Sequence, residues 1–315
     1  MNIHPVADAH VDLVTYLLGQ SPPAPLSSMT SGHLTPEGLR AGAVRLMVCT
    51  FYCADRFNGQ GTAKGRLMEL LSAMASMSAP LVPAFSCQAL EQTFRDEAAP
   101  PGYCHLVENS DALLETDINW LMQRGVRIAG LTHVGSNRLA DGNAVNSPGG
   151  LRAEGRALLR DLDQAGWAVD LAHLSEPGFW EVLERFTGPI FDSHTGLRAF
   201  LDKPRNLTDD QAAAIIERGG LVCLTFAPEI LSPDNRASLD TVVAHIDHLA
   251  QRHGADNLAI GSDFGGFFDV CQGLEDCSRF QNLGQSLTGR GYGEEVVAGI
   301  MGGNLLRFLT PLYPE

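Results

Sequence analysis

Short apolar runs alternate with amphipathic stretches along the whole of this 315-residue chain, and that alternation leaves few folds open. Apolar runs read as strands near Ile3–Val11, Ala43–Thr50, Val126–Thr132, Ala168–Leu171, Pro189–Asp192, Gly220–Thr225 and Leu258–Ser262. One further strand falls at Leu81–Phe85 or at Tyr103–Val107, and both segments qualify. Between the strands, helices are expected over Gly61–Met77, Ser110–Arg124, Leu151–Ala165, Glu176–Phe186, Thr208–Arg218 and Ser238–His253. The last of these repeats apolar residues at three-to-four spacing, through Leu239, Val242, Val243, Ile246 and Leu249. Ser110, Thr208 and Ser238 stand where N-caps belong, and Gly125, Gly166 and Gly219 stand where helices stop.

Strands that are apolar almost throughout pair in a parallel sheet covered on both faces. Eight strand–helix units in about this length predict a closed (β/α)₈ barrel, for which ~250 residues is typical. An open doubly wound sheet is the competing arrangement, but it calls for a Gly-rich phosphate turn after an early strand, and no such turn is present. No linker, repeat or low-complexity block divides the sequence, so residues 1–315 are expected to form one domain. Three segments rich in Gly, Asn or Pro, at His133–Gly150, Phe226–Ala237 and Asp263–Gly291, follow strands rather than precede them. That places them at the barrel face where active sites form, as walls and cover of a pocket.

Composition narrows the partners. Hydrophobic residues make up 44% and charged residues 19%, a globular balance. A net charge of −15, with no concentrated basic patch, argues against nucleic acid or an anionic membrane surface, both of which require clustered cations. It is compatible with a small substrate and a bound dication. The seven cysteines are scattered, an odd count without a four-ligand zinc pattern, and are expected to be buried thiols in a reducing compartment. No basic-then-apolar leader and no membrane-spanning apolar run is seen, which makes the cytoplasm the expected location.

Ionisable residues recur where strands end. His10 and Asp12 lie two apart, so on a strand they project to the same side. Glu108 follows Tyr103–Val107, His133 closes Leu131-Thr132-His133, His173 closes Val169–His173, His194 ends Ile190–His194 and Asp263 ends Ile260–Asp263. In a barrel these ends surround one cavity. Two neighbouring dications need a bridging carboxylate with terminal imidazoles and carboxylates. His10, Asp12 and Glu108 can hold one metal, with Glu108 bridging to a second held by His173 and His194. Asp263 can orient a water nucleophile and carry its proton. A single histidine at a strand end carries no such reading, so His4, His33, His105, His245, His248 and His253 are expected to be structural or solvated. His245 and His248, with no acidic partner of motif quality, are expected on a solvated helix face.

These residues sit in stretches that resemble the membrane dipeptidase (renal dipeptidase) family of zinc peptidases within the amidohydrolase-like barrels. The matching stretches are Asp8–Leu13, Val107-Glu108, Gly125–Arg127 leading to Leu131–His133 and Asn137, and Asp170–His173. They continue through Ser193-His194, Pro204–Leu207, Gly261–Phe264 and Gly302–Arg307. The resemblance implies a (β/α)₈ barrel with two zinc ions that hydrolyses dipeptides, L,D-dipeptides included. It gives His10 and Asp12 to the first zinc, Glu108 to the bridge, and His173 and His194 to the second zinc. His133 would stabilise the oxyanion, Arg205 would grip the free carboxylate of the substrate, and Asp263 would be the acid/base. Manganese or cobalt suits the same nitrogen and oxygen donors.

Three departures surround the pocket. Asn109 stands where the family usually has glycine, Ala172 where it has serine, and Gly265 where Asp-Phe-Asp-Gly would place its second aspartate. None removes a ligand, and all bear on substrate preference. The alternatives are an amidohydrolase-like enzyme acting on another anionic amide, ester or lactam, and a non-catalytic binding barrel. The sequence leaves a homodimer open and gives no sign of a lipid anchor.

Overall fold

The computed structural model describes residues 2–314. Nine parallel strands run β1 (Val6–Val11), β2 (Val44–Tyr52), β3 (Val82–Pro83), β4 (Gly102–Glu108), β5 (Val126–Gly130), β6 (Ala168–Asp170), β7 (Ile190–Thr195), β8 (Leu221–Leu224) and β9 (Leu258–Ile260). Each barrel strand pairs with its neighbours in sequence order. Asp8 meets Ile260 across β1 and β9, and β2 pairs directly with β4 from Leu46↔Gly102 to Tyr52↔Glu108. Those two pairings close the sheet into an eight-stranded barrel. The ambiguity over the third barrel strand is thereby resolved. Gly102–Glu108 takes the place, and Val82–Pro83 only extends the start of β4 through Val82↔Gly102.

Side chains alternate across the barrel wall as the pleat requires. Met47, Cys49 and Phe51 of β2 pack outward among helix residues such as Leu67 and Leu70. Leu46 and Val48 belong to a second cluster with Ala7, Ala9, Cys104, Leu106, Ile128, Ala168, Phe191, Cys223 and Ala259. This inner cluster is rich in small residues and continues into Leu305, Leu309, Leu312 and Tyr313. The last turns of the chain therefore plug the N-terminal end of the barrel, leaving the other end for chemistry.

The helices follow their expected spans closely at Thr62–Met77, Ala153–Gln164, Glu176–Arg185, Asp209–Glu217 and Leu239–His253. Thr208 and Ser238 form capping boxes with Gln211 and Thr241. Ser110 does not cap. Its hydroxyl donates to the Gly130 carbonyl at 2.8 Å, and the expected Ser110–Arg124 helix is split into a 3₁₀ segment, Ser110–Glu115, and a short helix, Ile118–Met122, capped by Asp117. The segment after β9 also departs from an open loop, because Phe280–Gly289 is helical.

Two histidines assigned to a solvated face are not there. His245 is fully buried, stacked on Phe200, with Nδ1 accepting the Leu197 N–H at 3.2 Å. His248 pairs with Asp209 at 2.8 Å. The partner comes from the start of the helix Asp209–Glu217, a tertiary neighbour that helical spacing within 238–253 does not reveal. His105 is buried among Phe51, Phe85 and Tyr103, where burial pushes its pKa down to about 3. All seven cysteines are free, and all but Cys87 are buried.

Candidate metal centre and active site

The strands deliver the ionisable residues to one end of the barrel. His10 lies within β1, Asp12 stands just before the helix Leu13–Leu18 without a side-chain capping bond, Glu108 is the last residue of β4, and His194 lies within β7. His133, His173 and Asp263 each fall three residues past the end of β5, β6 and β9. Arg205 comes from the segment between β7 and the helix Asp209–Glu217. Asp12, Glu108, His133, His173, His194, Arg205 and Asp263 all line one cavity of about 810 Å³, and His10 is buried beneath it.

Backbone geometry fixes where several of these side chains go. Asn109, His173 and Asp263 adopt left-handed φ values of 64°, 63° and 64°, a conformation that asparagine, aspartate and histidine tolerate better than other side chains. The same geometry accounts for Asn109, since asparagine, like glycine, is at ease there. Its side-chain amide donates to the Cys53 carbonyl at 2.5 Å and to Asn58 Oδ1 at 2.7 Å, tying β4 to the segment after β2. At Gly265, φ is 94°, and a Cβ would lie 3.0 Å from Tyr16 Cβ and 3.1 Å from the Asp12 carbonyl oxygen. A second aspartate would be strained and crowded at that position. His33 packs beside it instead, accepting the Gly265 N–H at 3.1 Å.

Two donor clusters meet at Glu108. His10 Nε2 stands 3.6 Å from Asp12 Oδ2, 3.9 Å from Asp263 Oδ1 and 3.9 Å from Glu108 Oε2. On the other side, Glu108 Oε1 lies 3.0 Å from His173 Nε2 and 3.9 Å from His194 Nε2, and those two nitrogens are 3.0 Å apart. Glu108 thus turns one oxygen to each cluster. His10 Nε2 and Asp12 Oδ1 are buried and have no hydrogen-bond partner. Buried lone pairs that converge without donors form the environment a dication satisfies. His10, Asp12 and Asp263 form one set with metal-holding spacing, and Glu108, His173 and His194 form another. A third set, His10, Asp170 and His194, has comparable spacing, but the Ser193 hydroxyl occupies it, within hydrogen-bond distance of all three.

The protonation balance points the same way. Burial pushes the Glu108 carboxyl up to about 7, reinforced by the Asp12 charge. Burial likewise raises Asp263 well above the ordinary carboxylate range, with Asp12 and Glu108 adding to it. Burial alone would lower His10, yet the neighbouring Asp12 carboxylate and the charges of Glu108 and Asp263 carry it up to about 10, a proton standing where a dication's charge would go. His173 and His194 are driven well below the usual imidazole value, first by burial. The cavity therefore concentrates carboxylates and holds His173 and His194 neutral, the form in which imidazole binds metals.

Sequence reading did not find Asp55. It follows β2 in no recognisable motif, yet its Oδ2 lies 3.3 Å from His133 Nδ1 and accepts the Gly135 N–H at 3.0 Å. Burial depresses the His133 pKa, but the Asp55 hydrogen bond and the charges of Glu108 and Asp55 raise it overall. A chain-order scan for strand-end residues could have flagged Asp55, because it comes three residues after β2.

A parallel barrel with metal-holding donors gathered at its C-terminal end defines the class of this protein. The sequence pattern of the membrane dipeptidase family (peptidase family M19) matches residues 1–312. The chain belongs to that family. Dipeptidase tcpJ of Claviceps purpurea is 32% identical over 208 residues, covering 65% of this chain and 48% of that protein. Dipeptidase aclJ of Aspergillus oryzae is 35% identical over 189 residues, covering 59% and 45%. The chain thus matches about half the length of these relatives. A metallopeptidase of Rhodobacter sphaeroides, solved with a phosphinate mimic of the dipeptide L-Ala-D-Ala, superposes with a TM-score of 0.85 at 23% identity, covering 99% of this chain and 100% of the other. The dipeptidase AC structure, also 23% identical, gives 0.89 with full coverage of both chains. Among the described residues no helix is long and apolar enough to cross a membrane.

Proposed function

We propose that this chain is a binuclear metal-dependent dipeptidase that cleaves dipeptides bearing a free C-terminal carboxylate, with L,L- and L,D-dipeptides as the substrate class. One observation carries the reading: a two-cluster donor set joined through Glu108 shares a cavity with an arginine whose Nη1 is buried and unpartnered. His10, Asp12 and Glu108 would hold one dication, and Glu108, His173 and His194 the other. Nitrogen and oxygen donors of this kind suit zinc, with manganese or cobalt as substitutes. Asp263 lies close enough to His10 to share the first site, and its assignment to proton transfer rests on its strand-end position together with the family resemblance.

Bound dications would supply a water acidified towards neutral pH and a polarised carbonyl. The protein's own residues do the rest. Arg205 offers a planar fork to the terminal carboxylate and so sets how far the scissile bond lies from it. His133, steadied by Asp55, presents a donor where negative charge develops on the carbonyl oxygen. Asp263 takes a proton from the attacking water and delivers it to the leaving amine. A dipeptide mimic bound to the Rhodobacter relative supports the substrate class.

The test is a panel of L,L- and L,D-dipeptides, tripeptides, C-terminal dipeptide amides and anionic lactams on zinc-loaded protein. Free dipeptides are expected to turn over and tripeptides and amides poorly. Turnover of lactams or esters with no dipeptide cleavage would move the activity to another amidohydrolase reaction, and no hydrolysis by metal-loaded protein would leave a binding barrel.

A further inference from the structure

Beneath the metal-facing edge of the site, one hydroxyl touches three ionisable groups. Ser193 Oγ lies 2.6 Å from Asp170 Oδ2, 3.0 Å from His10 Nδ1 and 2.8 Å from His194 Nδ1, and the serine is fully buried. Asp170 Oδ1 is already committed, accepting the backbone N–H of Ser193 at 2.9 Å and of Ala172 at 3.1 Å. A hydroxyl has one proton and two acceptor lone pairs, and a carboxylate only accepts. The proton of Ser193 therefore goes to Asp170, and both lone pairs are left to accept Nδ1–H from the two imidazoles. In its neutral, metal-binding form each ring then carries its free lone pair on Nε2. In His10 that nitrogen faces Asp12, Glu108 and Asp263, and in His194 it faces His173 and Glu108.

We propose that Ser193, oriented by Asp170, is a positioning residue that sets the tautomer of His10 and His194 together, so that one buried hydroxyl prepares both metal positions. This rests on the two-metal reading above. Partners behind a ligating imidazole commonly change metal affinity by ~10–100-fold, but each usually serves one ligand. Here the two rings lie against each other, with centroids 3.7 Å apart, and share one acceptor. Removing that acceptor should affect both sites, whereas a residue behind a single ligand should affect one.

Asp170 offers a second, isosteric perturbation with a different signature. In Asp170→Asn the amide oxygen stays with the two backbone N–H groups, which turns the NH₂ towards Ser193 Oγ. The serine proton must then point to Nδ1 of one imidazole, forcing that ring to carry its proton on Nε2, where a metal cannot bind.

Zinc binding to the full-length protein, measured by competition with a chromophoric chelator, reads both steps without reference to catalysis. Thermal melting of the metal-free forms checks that each variant is folded. Ser193→Ala should weaken both zinc-binding steps by ~10–100-fold, and Ser193→Thr, which keeps a hydroxyl, should restore most of the loss. Asp170→Asn should weaken one step selectively, with long-range ¹H–¹⁵N spectra of the histidine rings showing one Nε2–H tautomer absent from wild type. Folded Ser193→Ala and Asp170→Asn proteins with unchanged zinc binding would overturn the proposal, as would a loss confined to one step in Ser193→Ala. If Ser193→Ala does not fold, the Asp170→Asn spectra decide the question alone. Wild-type protein that binds no zinc would overturn the two-metal reading and this proposal together, whereas full zinc binding without dipeptide cleavage would overturn only the assigned reaction.

Discussion

Replacing Arg205 with alanine measures whether this cavity recognises the length of a dipeptide. Arg205 donates through Nη2 to the His194 carbonyl oxygen, and its Nη1 is buried with no partner. One end of the guanidinium is thus anchored to the site while a desolvated donor is left over. Among the described residues Arg205 makes no ion pair with Asp202 or Asp209, the two nearby aspartates in sequence, and Asp209 pairs instead with His248 at 2.8 Å and with Arg252 at 3.5 Å. Truncating one partner of a buried, hydrogen-bonded charge pair costs ~2–5 kcal/mol. At 1.4 kcal/mol per tenfold, that is roughly 30- to 4,000-fold in kcat/KM. The assay is a four-way cycle: wild type and Arg205→Ala, each with a free dipeptide and with the same dipeptide as its C-terminal amide. Wild type should discriminate strongly against the amide, and the variant should lose most of that discrimination. Arg205→Lys, which keeps charge but not the fork, should fall between them. Zinc content is measured in parallel, since the bond to the His194 carbonyl joins Arg205 to the strand that carries His194. Additive losses with near-zero coupling would refute the reasoning and leave the metal chemistry without a dipeptide.

Glu108→Gln removes a charge that both donor clusters share, so zinc stoichiometry by elemental analysis should drop at both positions; full loading would remove the bridge. Asp263→Asn should lower kcat by ~10²–10⁴-fold with zinc retained, and loss of zinc in that variant would make Asp263 primarily a ligand. Asp55→Asn leaves an acceptor for the Gly135 N–H but removes the carboxylate that raises the His133 pKa. His133 should therefore lose its proton at lower pH than in wild type. An NMR titration should show the midpoint shifted down, with a drop in kcat of about tenfold, short of the ~10²–10³-fold expected for deleting an oxyanion donor outright. An unshifted midpoint would mean that Asp55 serves only the loop.

Much of the site was legible because a parallel barrel converts sequence order into a ring. Once His10, Glu108, His173, His194 and Asp263 were placed at strand ends, the fold itself brought them together. What the sequence hid was of a different physical kind. Leu81–Phe85 and Tyr103–Val107 were indistinguishable because both are short apolar runs, and only pairing with β2 makes Gly102–Glu108 the wall strand. Ser110 has the look of a cap, yet the Gly130 carbonyl competes for its hydroxyl. His248 and His133 both take carboxylate partners from distant segments, Asp209 and Asp55, through contacts that no local spacing encodes. Ser193 was visible as the neighbour of His194, but its reach to His10, on a strand 183 residues away in sequence, exists only in three dimensions.

The left-handed backbone at His173 and Asp263 has a consequence for how such a centre can change. At these positions a substitution must satisfy the main chain as well as the chemistry of the site. Most side chains pay about 1–2 kcal/mol in that conformation, and β-branched ones are worse. Cysteine, methionine or glutamate introduced at His173 would meet that conformational cost in addition to any change in coordination. His10 and His194 sit in ordinary extended strand and carry no such surcharge. A library intended to retune the centre towards softer or harder ions should therefore explore His10 and His194 freely. At His173 and Asp263 it should stay within asparagine, aspartate, histidine and glycine. Which side chains this site can accept is thus set in part by two φ angles, before any chemical preference is expressed.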